Sequence, residues 1–194
     1  MGMPLQRTYW TVAMLNELPD DGSRYEVIDG ELYVTPAPAV VHQIAASKLF
    51  QLIAPYGERL GLDPLFAPTA VTFSSSREVQ PDLLVIPRLS NGRHASRFED
   101  VGVLLLAVEV LSPSSLRADR HEKRRLYQQE RVDEYWIVDT DARTFERWKP
   151  NATEPEVLRQ SLSWQPVGSH KPLIIDLEQY FRGVLDDQSG RVMV

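Results

Sequence analysis

The pattern of apolar and polar positions predicts a mixed α/β protein. Residues 25–34 alternate as two short strands do. The Asp29-Gly30 pair between them predicts a β-hairpin, because Asp-Gly suits the positive φ angles of a tight hairpin turn. Residues 41–53 repeat apolar side chains at helical spacing and predict an amphipathic helix. The N-terminal part of the chain therefore supplies a hairpin followed by a helix.

The central part of the chain predicts strands on either side of a second long helix. Residues 79–86 and 103–111 are strongly apolar, and the second segment is apolar on both faces, which is typical of a central strand. A helix at 119–130 and a strand at 135–139 follow, so we expect a right-handed parallel crossover. The other predicted elements are a short helix at 11–18, strands at 70–73 and 144–148, a weak strand at 157–164, and a helix at 176–185. Residues 91–100 are polar and predict a loop.

Two acidic residues, Asp82 and Glu109, interrupt the apolar strands. An isolated carboxylate that leaves water loses a large hydration energy, so each acid needs a compensating cation. If the strands are neighbours, both carboxylates converge near the strand ends. Two carboxylates form a hard-oxygen site suited to Mg²⁺ or Mn²⁺, with the backbone carbonyl of Val110 as a natural further ligand. Taken alone, Asp82 after Pro81 fits a turn or an edge position better.

Lys123 brings a positive charge towards these acids. Leu126 and Tyr127, three and four residues later, are apolar positions of the same helix, so Lys123 is predicted to face the sheet with them. A lysine in that place can orient water or steady a developing negative charge. The alternatives are a lysine whose stem covers apolar surface, and a buried Glu–Lys ion pair without catalysis.

The remaining candidates carry a weaker signal. Glu31 follows the hairpin turn and would extend a metal site, but an exposed strand carboxylate explains it equally well. His42 begins the first long helix, where a packing or hydrogen-bonding role is expected rather than ligation. His94 and His170 have no partners at metal spacing, and the sequence holds no Ser-His-Asp arrangement, phosphate-binding glycine loop or zinc pattern.

Several long motifs together resemble one known family. They are Glu109-Val110-Leu111-Ser112-Pro113-Ser114-Ser115, the segments at 119–124 and 132–139, the opening segment at 25–32, the segment from Pro38 to Gln43, and Gln80-Pro81-Asp82. This set closely resembles the Uma-two family of putative restriction endonucleases, which is assigned to the PD-(D/E)XK nuclease superfamily. The resemblance spans about residues 11–181.

The resemblance implies a fold and an organisation for the chain. We expect a restriction-endonuclease-like α/β fold, in which helices flank a mixed sheet and an N-terminal β-hairpin is added. The expected organisation is a single nuclease-like domain over residues 1–194. Its core covers about 41–139, the hairpin covers 25–34, and C-terminal strands and a short helix cover 144–185.

The resemblance also implies an activity and roles for three residues. Asp82 and Glu109 are expected to be metal ligands, and Lys123 the active-site lysine. The common superfamily pattern places the lysine two residues after the second acid, where this chain has Leu111. The Uma-type pattern takes its lysine from the following helix, and Lys123 fits that place. The expected activity is hydrolysis of DNA phosphodiester bonds with Mg²⁺ or Mn²⁺, by a protein that forms homodimers.

Charge and composition limit which partners and which cellular location are expected for this activity. The net charge of -6 counts against strong non-specific DNA binding, although a basic stripe covers 117–125. The chain has no cysteine, which excludes disulfides, thiol nucleophiles and cysteine zinc sites, and fits a cytoplasmic location. Residues 1–10 lack the pattern of a signal peptide, and no apolar stretch reaches the roughly 18 residues that span a bilayer. We therefore expect no membrane partner.

Two other functions stay open at the level of the sequence. The fold also suits a catalytically silent binding or assembly module that keeps the acids and the lysine as a buried ion-pair network. The acidic composition and the absence of a recognisable DNA-reading element favour that alternative. A nuclease acting on RNA, or on branched or damaged DNA, is a weaker option, because loops such as 91–100 would set the substrate.

Overall fold

A computed structural model describes residues 9–185 of the chain. In chain order the elements are α1 (Val12–Leu15), β1 (Arg24–Ile28), β2 (Glu31–Thr35), α2 (Val40–Arg59), β3 (Leu62–Phe66), β4 (Val71–Ser74), β5 (Arg77–Val79), β6 (Leu83–Pro87), β7 (Leu106–Val110), α3 (Arg124–Gln129), β8 (Glu134–Asp139), β9 (Thr144–Trp148), β10 (Glu156–Leu158), β11 (Ser161–Trp164), β12 (Leu173–Asp176) and α4 (Leu177–Leu185). A 3-10 turn covers Phe98–Asp100, and a π-helical segment covers Ala118–Lys123 and runs directly into α3. The two ends of the expected domain, residues 1–8 and 186–194, lie outside the described part.

The largest sheet has six strands in the order β10-β9-β8-β7-β6-β3. Strands β7 and β8 pair in parallel, whereas the other neighbours are antiparallel. The parallel pair confirms the predicted crossover, because the π-helical segment and α3 connect the two strands. All five residues of β7 are buried, as expected for a strand in the middle of a sheet. The mixed sheet flanked by helices confirms the predicted α/β fold class.

The predicted hairpin is confirmed and belongs to a second sheet. Strands β1 and β2 pair over five residues each. Asp29 and Gly30 hold the turn with φ angles of 52° and 85°, the positive values that an Asp-Gly turn needs. The hairpin extends through β5 into a four-stranded sheet of order β2-β1-β5-β4, and β11 and β12 form a two-stranded sheet.

Two apolar clusters cover the opposite faces of the six-stranded sheet. Alternate residues of β8 contribute to different clusters. Trp136 and Val138 belong to the first, and Tyr135 and Ile137 belong to the second. Helices α2 and α4 cover the first face, and α3 covers the second. Burial on both faces explains why the central strands are apolar throughout. Among residues 9–185, no helix combines the length and apolar character that crossing a membrane requires.

The predicted single strand at 79–86 is wrong, because the structure divides it between two sheets. Residues up to Val79 belong to β5, and residues from Leu83 belong to β6. Pro81 lies where the chain passes from one sheet to the other. It has no backbone N–H to donate to a neighbouring strand, and it disfavours helix at the preceding residue. Asp82 therefore lies at the entrance of β6 rather than inside a continuous strand.

Four further elements differ from the sequence expectations. Strand β3 was not predicted, because Pro64 argues against a strand; an edge strand tolerates it. Helix α2 continues past Pro55 to Arg59, and Gly57, without a side chain, lets Pro64 of β3 approach this last part of the helix closely. The weak strand predicted at 157–164 is two strands, β10 and β11, in different sheets. Strand β12 was also missed, because too few of its residues are buried to show alternation.

Candidate active site

The two acids predicted from the sequence lie on neighbouring strands. Strands β6 and β7 are antiparallel and pair Leu83 with Val108, so Asp82, one residue earlier, stands opposite Glu109. Their side chains are only 4% and 2% exposed. Strand alternation places both on the face of the sheet that α3 covers. The expectation that the two strands are neighbours is therefore confirmed.

Asp82 is held by contacts to both of its carboxylate oxygens. Arg24 donates from Nη1 and Nη2 to Oδ1, each at 3.0 Å. Oδ2 accepts the backbone N–H of Val110 at 2.8 Å and lies 3.0 Å from Nε2 of His42. Burial alone would raise the pKa of Asp82, but His42, Arg24 and the Val110 amide together lower it below its usual value. Asp82 is therefore ionised at neutral pH.

Glu109 shares one oxygen between two buried donors. Lys123 donates from Nζ at 3.0 Å and Tyr127 from its hydroxyl at 3.2 Å, both to Oε1. Burial raises the pKa of Glu109 well above its usual value, and the neighbouring acids add to the effect, while Lys123 opposes it. Burial alone would lower the pKa of Lys123, but the surrounding acids outweigh this effect and raise it. Lys123 therefore stays protonated.

Glu26, from β1, is the N-terminal acid that reaches this cluster. Its Oε2 lies 2.8 Å from Nζ of Lys123, and its Oε1 accepts the backbone N–H of Gln80 at 2.7 Å. Glu31 lies instead at the exposed start of β2, where it accepts the hydroxyl of Tyr33 at 3.0 Å. The structure does not bring Glu31 to the cluster. The sequence signal for Glu26 is strand alternation, which puts it on the same face as the apolar, buried Ile28.

Asp119 adds a fourth buried carboxylate from the π-helical segment. Its side chain is 1% exposed, and neither oxygen has a hydrogen-bond partner among the described residues. Lys123, four residues later, lies 3.6 Å from Oδ1. Burial raises the pKa of Asp119 to about 6. Short π-helical segments are frequent at functional sites, and this one turns both Asp119 and Lys123 inward.

The cluster opens onto a cleft of about 240 Å³. Its walls are the 35–39 loop, which follows β2, and the 112–115 turn, which follows β7. The charged or titratable side chains that line it are Arg24, His42, Asp82, Glu109 and Lys123. The three residues expected from the sequence, Asp82, Glu109 and Lys123, therefore face one cavity. The charged side chains at this cavity suit a small charged group such as a phosphate.

The charges of the cluster fit a hard divalent cation. Four buried carboxylates meet two permanent cations; these six residues are Glu26, Asp82, Glu109, Asp119, Arg24 and Lys123. Within residues 9–185, no group of three or more His, Asp or Glu side chains is arranged to hold a metal ion. Mg²⁺ commonly uses one or two carboxylates and keeps waters or substrate phosphates as its other ligands. Asp82 and Glu109 are the two of these four carboxylates that line the cleft.

Comparison with known proteins gives a family and a fold. The family model described as "Uma2: Putative restriction endonuclease" matches residues 12–178. No curated protein matches the chain. Among solved structures, a protein described as a putative nuclease belonging to DUF820 from Anabaena variabilis ATCC 29413 matches with a TM-score of 0.72 and 22% identity, over 91% of this chain and 99% of that chain. At this identity the likeness shows a shared fold.

Proposed function

The chain belongs to the Uma2 family of putative restriction endonucleases, and from this premise we propose that it is a metal-dependent endonuclease that hydrolyses DNA phosphodiester bonds. The observation that carries the proposal is the convergence of Asp82, Glu109 and Lys123 on one cleft. They come from the entrance of β6, from β7 and from the π-helical segment. Two acids and a lysine on two strands and a following helix match the order that the sequence predicts.

Asp82 and Glu109 are the residues that would hold Mg²⁺ or Mn²⁺. When bound, such an ion lowers the pKa of a water ligand and neutralises charge at the phosphate. Asp82 is fixed in position by the Val110 amide and by Arg24, so it is oriented before any substrate arrives. Glu109 is oriented by Lys123 and Tyr127. The carbonyl of Val110 stays part of the proposal as a further ligand.

Lys123 acts in this proposal as a fixed cation and not as a base. Its raised pKa keeps it protonated at neutral pH, so it has no lone pair to take a proton from water. Its ammonium group contacts Glu26 and Glu109 and also faces the cleft. A preorganised positive charge there stabilises the negative charge that develops on a phosphate during hydrolysis.

A largely basic surface on the π-helical segment and α3 suits contact with a nucleic-acid backbone. Arg117, His121, Glu122, Arg124 and Arg125 line an open cavity of about 440 Å³ on the outer side of these elements, and Glu122 pairs with Arg125. The inner side of the same segment carries Lys123. Lys and Arg that neutralise phosphates supply most of the sequence-independent affinity for DNA. This surface offsets locally the acidic net charge of -6.

Cleavage assays with matched variants test the proposal. Purified protein is incubated with supercoiled plasmid and with single-stranded DNA, in Mg²⁺, Mn²⁺ or EDTA. We expect cleavage that needs a divalent ion and falls to background in Asp82→Asn and in Glu109→Gln. Asp63→Asn is the matched control, because Asp63 is a buried acid paired with Arg88 and does not line the cleft. Cleavage retained by either cleft variant, with a folded protein, contradicts the assignment.

A catalytically silent module is the second candidate, and one observation favours it. Both oxygens of Asp82 are already engaged by Arg24, His42 and the Val110 amide, so the acid is satisfied without a metal. In that case the cluster is a structural network, and divalent ions would show no saturable binding that depends on Asp82 and Glu109.

The homodimer and the cytoplasmic location belong to the nuclease proposal as predictions. Size-exclusion chromatography with light scattering measures the molar mass and so tests the predicted homodimer.

A further inference from the structure

A second pocket lies directly beside the cleft. It has a volume of about 320 Å³ and shares two lining residues with the cleft, His42 and Asp82. Helix α2 forms one wall, and the end of β3 forms the opposite wall with Phe66 and Ala67. A group seated in this pocket would therefore be adjacent to the carboxylate that we assign to the metal site. We call the pocket, lined by these residues and by Gln43, Ser47, Phe50 and Gln51, the side pocket.

An exposed aromatic ring forms a fixed platform at the side pocket. Phe66 is 59% exposed, so much of its ring is open to solvent. Phe50 packs edge-on against it, with ring centroids 5.1 Å apart at 78°. The next residue, Ala67, donates its backbone N–H to the carbonyl of Asp82 at 3.1 Å. The platform and the catalytic acid are thus positioned by the same short segment.

Uncharged hydrogen-bonding groups face the platform from α2. Gln43, Ser47 and Gln51 follow one another at intervals of four residues, and all three are exposed. The only contact between them is a weak one of 3.4 Å from Gln51 to Ser47, which leaves amide groups available to a ligand. His42 is 7% exposed, and its Nδ1 has no hydrogen-bond partner among the described residues. That nitrogen is enclosed by protein, so the groups open to a ligand on this wall are those of Gln43, Ser47 and Gln51.

The composition of the lining selects the kind of ligand. Of the described residues that line the side pocket, none is Lys or Arg, and Asp82 is the one carboxylate. Phosphate does not suit such a lining, because it would meet a negative charge without a cation. A flat heterocycle with donors and acceptors at its edge suits it, since aromatic stacking and amide contacts are the means by which proteins bind unpaired bases.

Resting on the proposed nuclease function, we propose that the side pocket binds an unpaired nucleobase of a DNA strand whose phosphate enters the cleft. Phe66 would stack on the base, and Gln43 and Gln51 would contact its edge. A base inside a duplex is stacked and paired, so neither its face nor its edge reaches such a pocket. The preferred substrate is therefore DNA that is single-stranded or locally unpaired next to the cut site.

Binding of three probes tests this inference. Fluorescence anisotropy in EDTA compares a fluorescein-labelled oligothymidylate, a strand of equal length in which abasic sites replace the bases, and a blunt duplex. We expect Phe66→Ala to weaken binding of the oligothymidylate about tenfold, the size of one lost stacking contact, and to leave the abasic strand unaffected. Gln43→Ala should act in the same direction more weakly. Val157→Ala is the matched control, because Val157 is an exposed apolar residue that lines neither the side pocket nor the cleft.

Three results would overturn the inference. They are equal binding of the abasic and base-bearing strands by the parent protein, equal loss in Phe66→Ala for both strands, and tight duplex binding with the same dependence on Phe66. Thermal unfolding verifies that each variant is folded. The outcome is separable from that of the nuclease proposal. If binding depends on the bases but no DNA is cleaved, the side-pocket inference is supported and the nuclease proposal is contradicted. If DNA is cleaved equally well by the parent and by Phe66→Ala, the nuclease proposal is supported and the side-pocket inference is contradicted.

Discussion

Nζ of Lys123 lies 2.8 Å from Oε2 of Glu26, and the two side chains are only 3% and 1% exposed. This ion pair joins the π-helical segment to β1, and so connects the crossover of the six-stranded sheet to the hairpin sheet. The second oxygen of Glu26 accepts the N–H of Gln80, just before the chain enters β6. A single buried charge pair therefore fixes the relative position of three segments that are remote in sequence.

Removing the ammonium group of Lys123 should destabilise the fold strongly. We expect Lys123→Met to cost about 3–5 kcal/mol in the free energy of unfolding, because it leaves buried acids without their cation. Glu26→Gln should cost less, roughly 1–2 kcal/mol, since Lys123 keeps Glu109. Denaturant titrations of both single variants and of the double variant give the coupling energy. If the two losses simply add, the pair is not the unit that we describe.

Divalent ions should bind at Asp82 and Glu109 and stabilise the folded state. Calorimetric titration of Mn²⁺ into the parent protein should show saturable binding that disappears in Asp82→Asn and Glu109→Gln. At a hundredfold excess over Kd, the ion should add about 2.7 kcal/mol to the stability of the parent. Asp63→Asn should behave as the parent does. Absence of binding to the parent, both alone and with a short DNA duplex, would favour the silent module.

Arg24 should compete with a metal ion for Asp82. Its guanidinium occupies Oδ1 of Asp82 through two contacts of 3.0 Å. We expect Arg24→Gln to lower the unfolding free energy in EDTA, because a buried carboxylate loses its cation. The same change should raise the affinity for Mn²⁺, since it leaves Oδ1 free and the cluster more negative. Thermal unfolding with increasing Mn²⁺ measures both effects, and an unchanged or weaker response to the ion would contradict this role of Arg24.

Asp119 should make the stability depend on pH. Its pKa of about 6 in the folded protein lies above the ordinary 3.8, so folding favours the protonated carboxyl. That contribution is complete below the lower pKa and is lost as the pH rises through the higher one. In EDTA, Asp119→Asn should therefore match the parent near about pH 4 and exceed it by roughly 1–3 kcal/mol at about pH 8. A stability difference that is the same at both pH values would contradict the raised pKa.

The parts of the fold that the sequence predicted correctly are those whose pattern is local. The β1–β2 hairpin was predicted because its turn needs two positive φ angles that Asp29 and Gly30 supply. Helix α4 was predicted with its cap, and the side chain of Asp176 does accept the N–H of Gln179 at 2.9 Å. The parallel pairing of β7 with β8 followed from the handed strand–helix–strand unit. Each of these depends on neighbours within one or two elements.

The parts that the sequence missed depend on segments that meet only in the fold. Pro64 argues against a strand in the sequence. β3 can contain this proline only because the strand lies at the edge of the sheet. The strongly apolar segment 79–86 was predicted as one strand, although the chain changes sheet within it, between β5 and β6. Periodicity cannot detect such a change, since buried residues of two different sheets are equally apolar.

For the candidate site, the sequence by itself determined which residues carry the charge. Asp82 and Glu109 stood out because charges inside apolar segments are costly and need a partner, and Lys123 stood out because Leu126 and Tyr127 place it on the inward face of its helix. Only the tertiary structure decided what those partners are. Arg24, Glu26 and His42 come from elements far away in the chain. Electrostatic energy depends on distances between atoms, and those distances exist only after the two sheets and α2 have packed together.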